Sequence, residues 1–281
     1  MKPLKLTLLV IFCFTVFNCS NDDTNDSISQ EQQQQFSGNF FPLTVNDSWY
    51  YAILNTNNDT NETIVSDDVL LVDNETNTGF TLSVNQGAPA NGTMSGILTS
   101  GELTRTETTL ATHGTVGIPI DGFDFEIALE NAVLYDTQAN NGTQLALKTG
   151  TFTQDLQGYP ITLNYTLTST QLENLDALTV NNTIYDSVTS ANISLDLNAT
   201  IQISVFGITQ VISIIDTQEV LSINSFYAKN IGLIKADSDS GYSLNPTTIT
   251  LLQQAGVDLS TLPTTLSLTN IQTLTSYTIT E

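Results

Sequence analysis

The chain carries one histidine and two cysteines in 281 residues, so reactive side chains are few. His113 lies in the run HGT at 113–115. A single histidine cannot build a multi-histidine zinc site. Ser-His-Asp catalysis would require His113 as the base, and no G-x-S-x-G elbow accompanies it. Asp124, Glu126 and Glu130 recur on one side of the segment FDFEIALE at 123–130. In a strand, side chains two apart are separated by about 6–7 Å, near the spacing of glycosidase carboxylates. The same positions are the wet side of an amphipathic strand, and a solvated face is expected. The run DSDSG at 237–241 opens like a calcium loop, but the twelfth position is Thr248 rather than glutamate. It is no EF-hand; a turn is expected, with a weaker cation site as the alternative. No metal set, cofactor motif or nucleophile–base pair emerges, so a non-enzymatic protein is expected.

Both cysteines lie near the start. Lys2 and Lys5 precede LTLLVIFCFTVF at 6–17, an uncharged run of twelve residues that contains Cys13. That is too short to span a membrane comfortably and suits the apolar core of a signal peptide. The segment VFNC at 16–19 resembles a lipobox, although the residues before Cys19 are larger than usual. The resemblance implies removal of residues 1–18 and a diacylglycerol on the Cys19 thiol; an ordinary signal peptide or a retained leader are the alternatives. SNDD at 20–23 resembles the signal that sends lipoproteins to the cell surface in one group of Gram-negative bacteria, which implies an outer-membrane, surface-facing location, with the periplasmic face as the alternative. Residues 19–35 have no apolar periodicity and read as a disordered acidic and Gln-rich tether, with a reach of about 20–25 Å.

Formal net charge is −23, and loss of residues 1–18, which hold two lysines and no acid, takes it to −25. Four strong cations remain: Arg105, Lys148, Lys229 and Lys235. Such a surface repels phosphate backbones, which excludes nucleic acid as a partner. Beyond Cys19 there is no thiol left for a disulfide.

From residue 36 the chain reads as successive strands. Between 193 and 205 the apolar residues Ile193, Leu195, Leu197, Ala199, Ile201, Ile203 and Val205 alternate strictly with polar ones, which predicts a long strand with one buried face. Phe206-Gly207 offers a turn, and 208–223 returns as a second strand. Residues 123–134 are expected as another. At 48–54, Trp49, Tyr51 and Ile53 share one face and Tyr50, Ala52 and Leu54 the other, so this strand is expected to be covered on both sides. Polar runs at 55–62, 73–79, 85–92 and 237–241 are expected loops. Helices are expected at 171–178 and, after Asn245-Pro246, at 247–255; residues 271–279 would form the closing strand. With so few helices the sheet must curl on itself or form two layers. The expectation is one all-β, mainly antiparallel domain over 36–281, a curved sheet or incomplete barrel with one or two short helices.

Three segments carry a resemblance. FFPLTVNDSWY at 40–50, TIYDSV at 183–188 and FYAKNIGLIK at 226–235 resemble the FPL-V-G-x-W-Y, Y-D-x-V and YYA-x-G-V-G-L-V-K segments of uncharacterised secreted bacterial lipoproteins. Asn46-Asp47 and Asn230 stand where those sequences carry glycine, and asparagine also visits left-handed conformations. The resemblance extends to the LolA/LppX-like class, which implies an incomplete barrel around an apolar cavity. The function so implied is a lipid-anchored protein, partnered with the membrane through its lipid and with an apolar ligand near Trp49, Tyr50 and Tyr51. A surface adhesion or glycan-contact module with a solid β-sandwich core is the alternative.

Overall fold

The computed structural model describes residues 36–117, 125–156, 158–205, 208–254 and 263–280. In chain order the elements are β1 (Ser48–Asn57), β2 (Glu62–Glu75), β3 (Phe80–Val84), α1 (Thr93–Thr99), β4 (Leu103–Arg105), β5 (Thr109–Thr112), β6 (Thr115–Gly117), β7 (Glu126–Ala128), β8 (Ala132–Asp136), β9 (Gln144–Leu156), β10 (Tyr159–Gln171), β11 (Leu175–Val180), β12 (Thr183–Val205), β13 (Ile208–Ala228), β14 (Gly232–Ser243), α2 (Pro246–Gln254) and β15 (Thr265–Thr278). Among the described residues no helix is long and apolar enough to cross a membrane.

The alternation at 193–205 becomes the second half of β12. Ile201 and Ile203 are buried, Gln202 is exposed and Thr200 lies between. β13 pairs with β12 from Val205–Ile208 to Val188–Ala228; the residues between the two strands lie outside the described set. Thirteen strands form one antiparallel sheet in the order β8-β5-β4-β3-β2-β1-β15-β14-β13-β12-β10-β9, with β11 pairing along the early part of β12 and β6–β7 as a separate hairpin. The sheet curls until β8 returns beside β9 and β10, giving a nearly closed barrel with one unsealed seam. Side chains rather than backbone bonds bridge that seam. Lys148 Nζ lies 2.9 Å from Glu130 Oε2, Phe125 stacks on Phe152 at 4.4 Å, and the Asp136 amide donates to Gln171 Oε1 at 2.9 Å. β15 joins the two halves of the barrel, since it pairs with β1 on one side and β14 on the other.

The interior is filled by side chains from every wall. Trp49, Tyr51, Tyr135, Tyr227, Phe40, Phe41, Leu70, Met94 and Leu98 are essentially inaccessible. Phe41 packs on Trp49 at 4.9 Å and Tyr135 on Tyr227 at 4.8 Å. Tight turns use asparagine in the left-handed region: Asn181 and Asn182, the two residues between β11 and β12, both have positive φ, as a right-twisted hairpin requires. Asn46 and Asn230 also have positive φ, at 79° and 60°, so asparagine adopts a glycine-like backbone at the two sites of departure.

Four expectations are corrected. Residues 123–134 are not one strand: residues 123–124 lie outside the described set, and Asn131, at φ 55°, separates β7 from β8. The helix expected at 171–178 is the end of β10, a short loop and the start of β11. The loop expected at 237–241 lies within β14, held between β13 and β15. β1 is covered on one face only, because Tyr50 and Leu54 remain 43% and 36% exposed. α2 matches its expected N-terminus: Asn245 Oδ1 accepts the Thr247 and Thr248 amides at 3.0 and 3.2 Å. β15 extends the expected closing strand.

Candidate functional site: clefts beside the first helix

α1 has only seven residues, too few to be stable alone. Its sequence, TMSGILT, brings Met94, Ile97 and Leu98 to one side, where they are buried. The strands supply the rest. Asp68 Oδ2 on β2 accepts the Gly92 amide at 2.8 Å, Asn270 Oδ1 on β15 accepts the Thr93 amide at 3.1 Å, and Gln272 Oε1 accepts the Ser95 amide at 3.2 Å. Side chains distant in sequence thus satisfy the donors that a helix start leaves unpaired. Gly92 is required by this closeness: a Cβ there would lie 2.5 Å from Gln272 Oε1 and 2.9 Å from Ile53 Cδ1. The side-chain amide of Asn91 donates to Asp67 O and Asp68 Oδ1.

Two clefts flank α1. One, of about 340 Å³, lies between Thr93, Ile97 and Ser100 on one side and Val116, Glu126 and Leu221 on the other. The second, of about 440 Å³, is bounded by Leu82, Val84, Ala88, Pro89, Ala90 and Thr99. Gly96 lines both, and a Cβ on it would meet only the Ala90 methyl, at 3.9 Å. Both volumes fall in the range of small-molecule sites. The i, i+3, i+4 spacing of Met94, Ile97 and Leu98 was the available signal for α1; the polar run at 85–92 obscured it.

The residues singled out by sequence do not meet here. Cys19 lies outside the described residues. Trp49 and Tyr51 are core residues: Trp49 Nε1 donates to Ile231 O at 2.6 Å and Tyr51 Oη to Leu233 O at 2.9 Å. Burial, then the neighbouring Tyr227, Tyr185 and Asp68, push the Tyr51 phenol well above its ordinary range. Tyr50 points to the outer face. None of the three lines the clefts beside α1. His113 is exposed, and its backbone amide donates to Glu102 O at 2.9 Å. Hydrogen bonds from Thr76 and Thr78 hold the Glu102 carboxyl below the usual range.

The carboxylate candidates are dispersed as well. Asp124 lies outside the described residues, Glu126 is at a cleft rim, and Glu130 is held below its usual range by a hydrogen bond and the charge of Lys148. Asp237 pairs with Lys235 at 2.6 Å, and Asp239 accepts the Thr269 hydroxyl at 3.0 Å. Partial burial, then Asp196 and Asp239, push Glu219 up. Among the described residues no group of three or more His, Cys, Asp or Glu could hold a metal ion. No protein-family model, curated protein or solved structure matches the chain.

Proposed function

We propose that this is an exported lipoprotein, anchored through lipid on Cys19, whose β-domain is a non-enzymatic binding module for an apolar, acyl-chain-sized ligand. The observation that supports it most directly is the pair of clefts meeting at Gly96. They are open to solvent, partly apolar and lie beside a helix whose N-terminal amides are fixed by Asp68, Asn270 and Gln272. The barrel interior is occupied by Trp49, Tyr51 and their neighbours, so the ligand site belongs at α1 rather than on the aromatics of β1.

The anchor is tested by mass spectrometry of the mature N-terminus, which should carry acyl chains on Cys19; an unmodified start elsewhere removes this part of the reading. Protease added to intact cells should digest the domain, and full protection would place it on the inner side. Lipid should co-extract with the purified protein, and an apolar fluorescent probe should bind it with saturation. Gly96→Leu places a bulky side chain where the two clefts meet and should weaken probe binding with the fold intact by circular dichroism. Probe binding unchanged in that variant rejects the cleft.

A second reading has its own observation. Tyr50, Leu54, Val65 and Leu71 lie on one outer face of β1 and β2 and are exposed, a surface that suits contact with a glycan or another cell. Specific glycan-panel binding lost in Tyr50→Ala, with no probe binding, would favour this adhesion module.

A further inference from the structure

Of the four cations in the described residues, two are ion-paired: Lys148 with Glu130 and Lys235 with Asp237. The other two, Arg105 and Lys229, have no carboxylate within 4.0 Å among the described residues, although the chain has 29 acids. Both border the same segment, 37–39. Arg105, with Ser37, Gly38, Asn39, Thr106 and Glu107, lines a cleft of about 560 Å³. The Lys229 stem crosses Gly38, where an added Cβ would lie 2.7 Å from Cε and 3.3 Å from Nζ. Gly38 has φ 120°, a backbone that other residues rarely adopt. The close passage of Lys229 therefore coincides with a position that favours glycine.

The guanidinium is also fixed. Arg105 Nη1 donates to Phe41 O at 3.0 Å, and the group lies 5.8 Å from the centre of the Phe80 ring. A guanidinium carries five N–H donors in a planar fork that matches two oxygens of one anion. Arg105 and Lys229 therefore approach the 37–39 segment as two cations without a carboxylate partner among the described residues, a local attraction for an anion that must outweigh the net negative charge of the chain.

We propose that the cleft lined by Arg105 and Ser37, with Lys229 passing alongside Gly38, binds a phosphate-type oxyanion: inorganic phosphate or the phosphomonoester of a lipid headgroup. Glu107, which also lines the cleft, opposes binding and so reports on it.

The test is isothermal titration of inorganic phosphate into the full chain, held in a nonionic detergent at low ionic strength. Saturable binding is expected, weakened about tenfold in Lys229→Gln by loss of one charge-assisted hydrogen bond. Arg105→Lys keeps the charge and loses the fork, so it should also weaken binding. Glu107→Gln should tighten it, a response that damage to the fold would not produce, and added salt should screen it. Lys229 and Glu107 are exposed, so their variants should keep the wild-type circular dichroism. Dihexanoyl phosphatidic acid separates the sources: affinity equal to phosphate assigns the free ion, and tighter binding assigns the headgroup. Wild type that binds neither, or Lys229→Gln and Glu107→Gln variants that bind as wild type does, would overturn the proposal.

Discussion

Asp47 and Asp68 are fully buried carboxylates that form no salt bridge among the described residues. Backbone and side-chain amides compensate instead. Asp47 Oδ2 accepts the Thr44 amide at 2.9 Å and Oδ1 the Thr280 amide at 2.6 Å, so one side chain binds the segment before β1 to the segment after β15. Asp47→Ala leaves those donors without their acceptor and should cost about 3 kcal/mol in urea unfolding; a loss under about 0.5 kcal/mol would mean water replaces the carboxylate. Tyrosine gives a second prediction. Burial raises the phenols of Tyr51 and Tyr135 well above their ordinary range, and raises Tyr227 also. The folded state then holds these protons more tightly than the unfolded chain. The associated stability is complete below the unfolded value of about 10 and is lost as pH rises above it. Phenolate absorbance from these residues should therefore appear together with alkaline unfolding, followed by circular dichroism. Ionisation of all nine tyrosines while the fold persists would contradict the burial.

Among the elements, β12 shows what alternation can and cannot reveal. Ile203→Ala should cost about 2–5 kcal/mol and Gln202→Ala no more than about 0.5; equal small losses would refute the register. This strand was legible because one face is wholly buried and the other wet. β14 was not. Its inward residues near the middle include Ser238, which is buried, and Gly241 lies so close to Leu266 that a Cβ would sit 2.0 Å from the carbonyl oxygen. Small and polar residues serve there because β13 and β15 impose the extended backbone from both sides, information that no local window contains. α1 was hidden for a related reason, since residues almost 180 positions away hold its first turn. Asp68→Ala should raise amide exchange across 93–99 well before exchange rises in β12. Uniform change over the protein would show that the helix and barrel open as one unit.

For the molecule as a whole, the barrel closure was legible only as a necessity: strands too apolar to stand alone and helices too few to cover them. Which edges meet at the seam followed from no pattern, because Phe125, Phe152, Lys148 and Glu130 look locally like ordinary strand and turn residues. Net charge acts at this scale too. At −23 over the chain, self-repulsion favours expansion. Raising ionic strength from about 0.01 M to about 0.15 M shortens the screening length from about 30 Å to about 8 Å, so the melting temperature should increase. A decrease would mean that attractive pairs such as Lys148–Glu130 outweigh the repulsion.

The position of β15 also governs when the molecule can exist. The walls built from β1–β5 with β8 and from β9–β14 have no paired strands in common except through β15. A ribosome delivers β15 after every other strand of the sheet, and its partner Ser48 is made more than two hundred residues before Thr278. Until it emerges the nascent chain holds two unjoined sheets with open edges, and pairing over such separations is slow. Closure of the barrel thus waits for synthesis of β15, and until then the edges of β1 and β14 stand open to other strands.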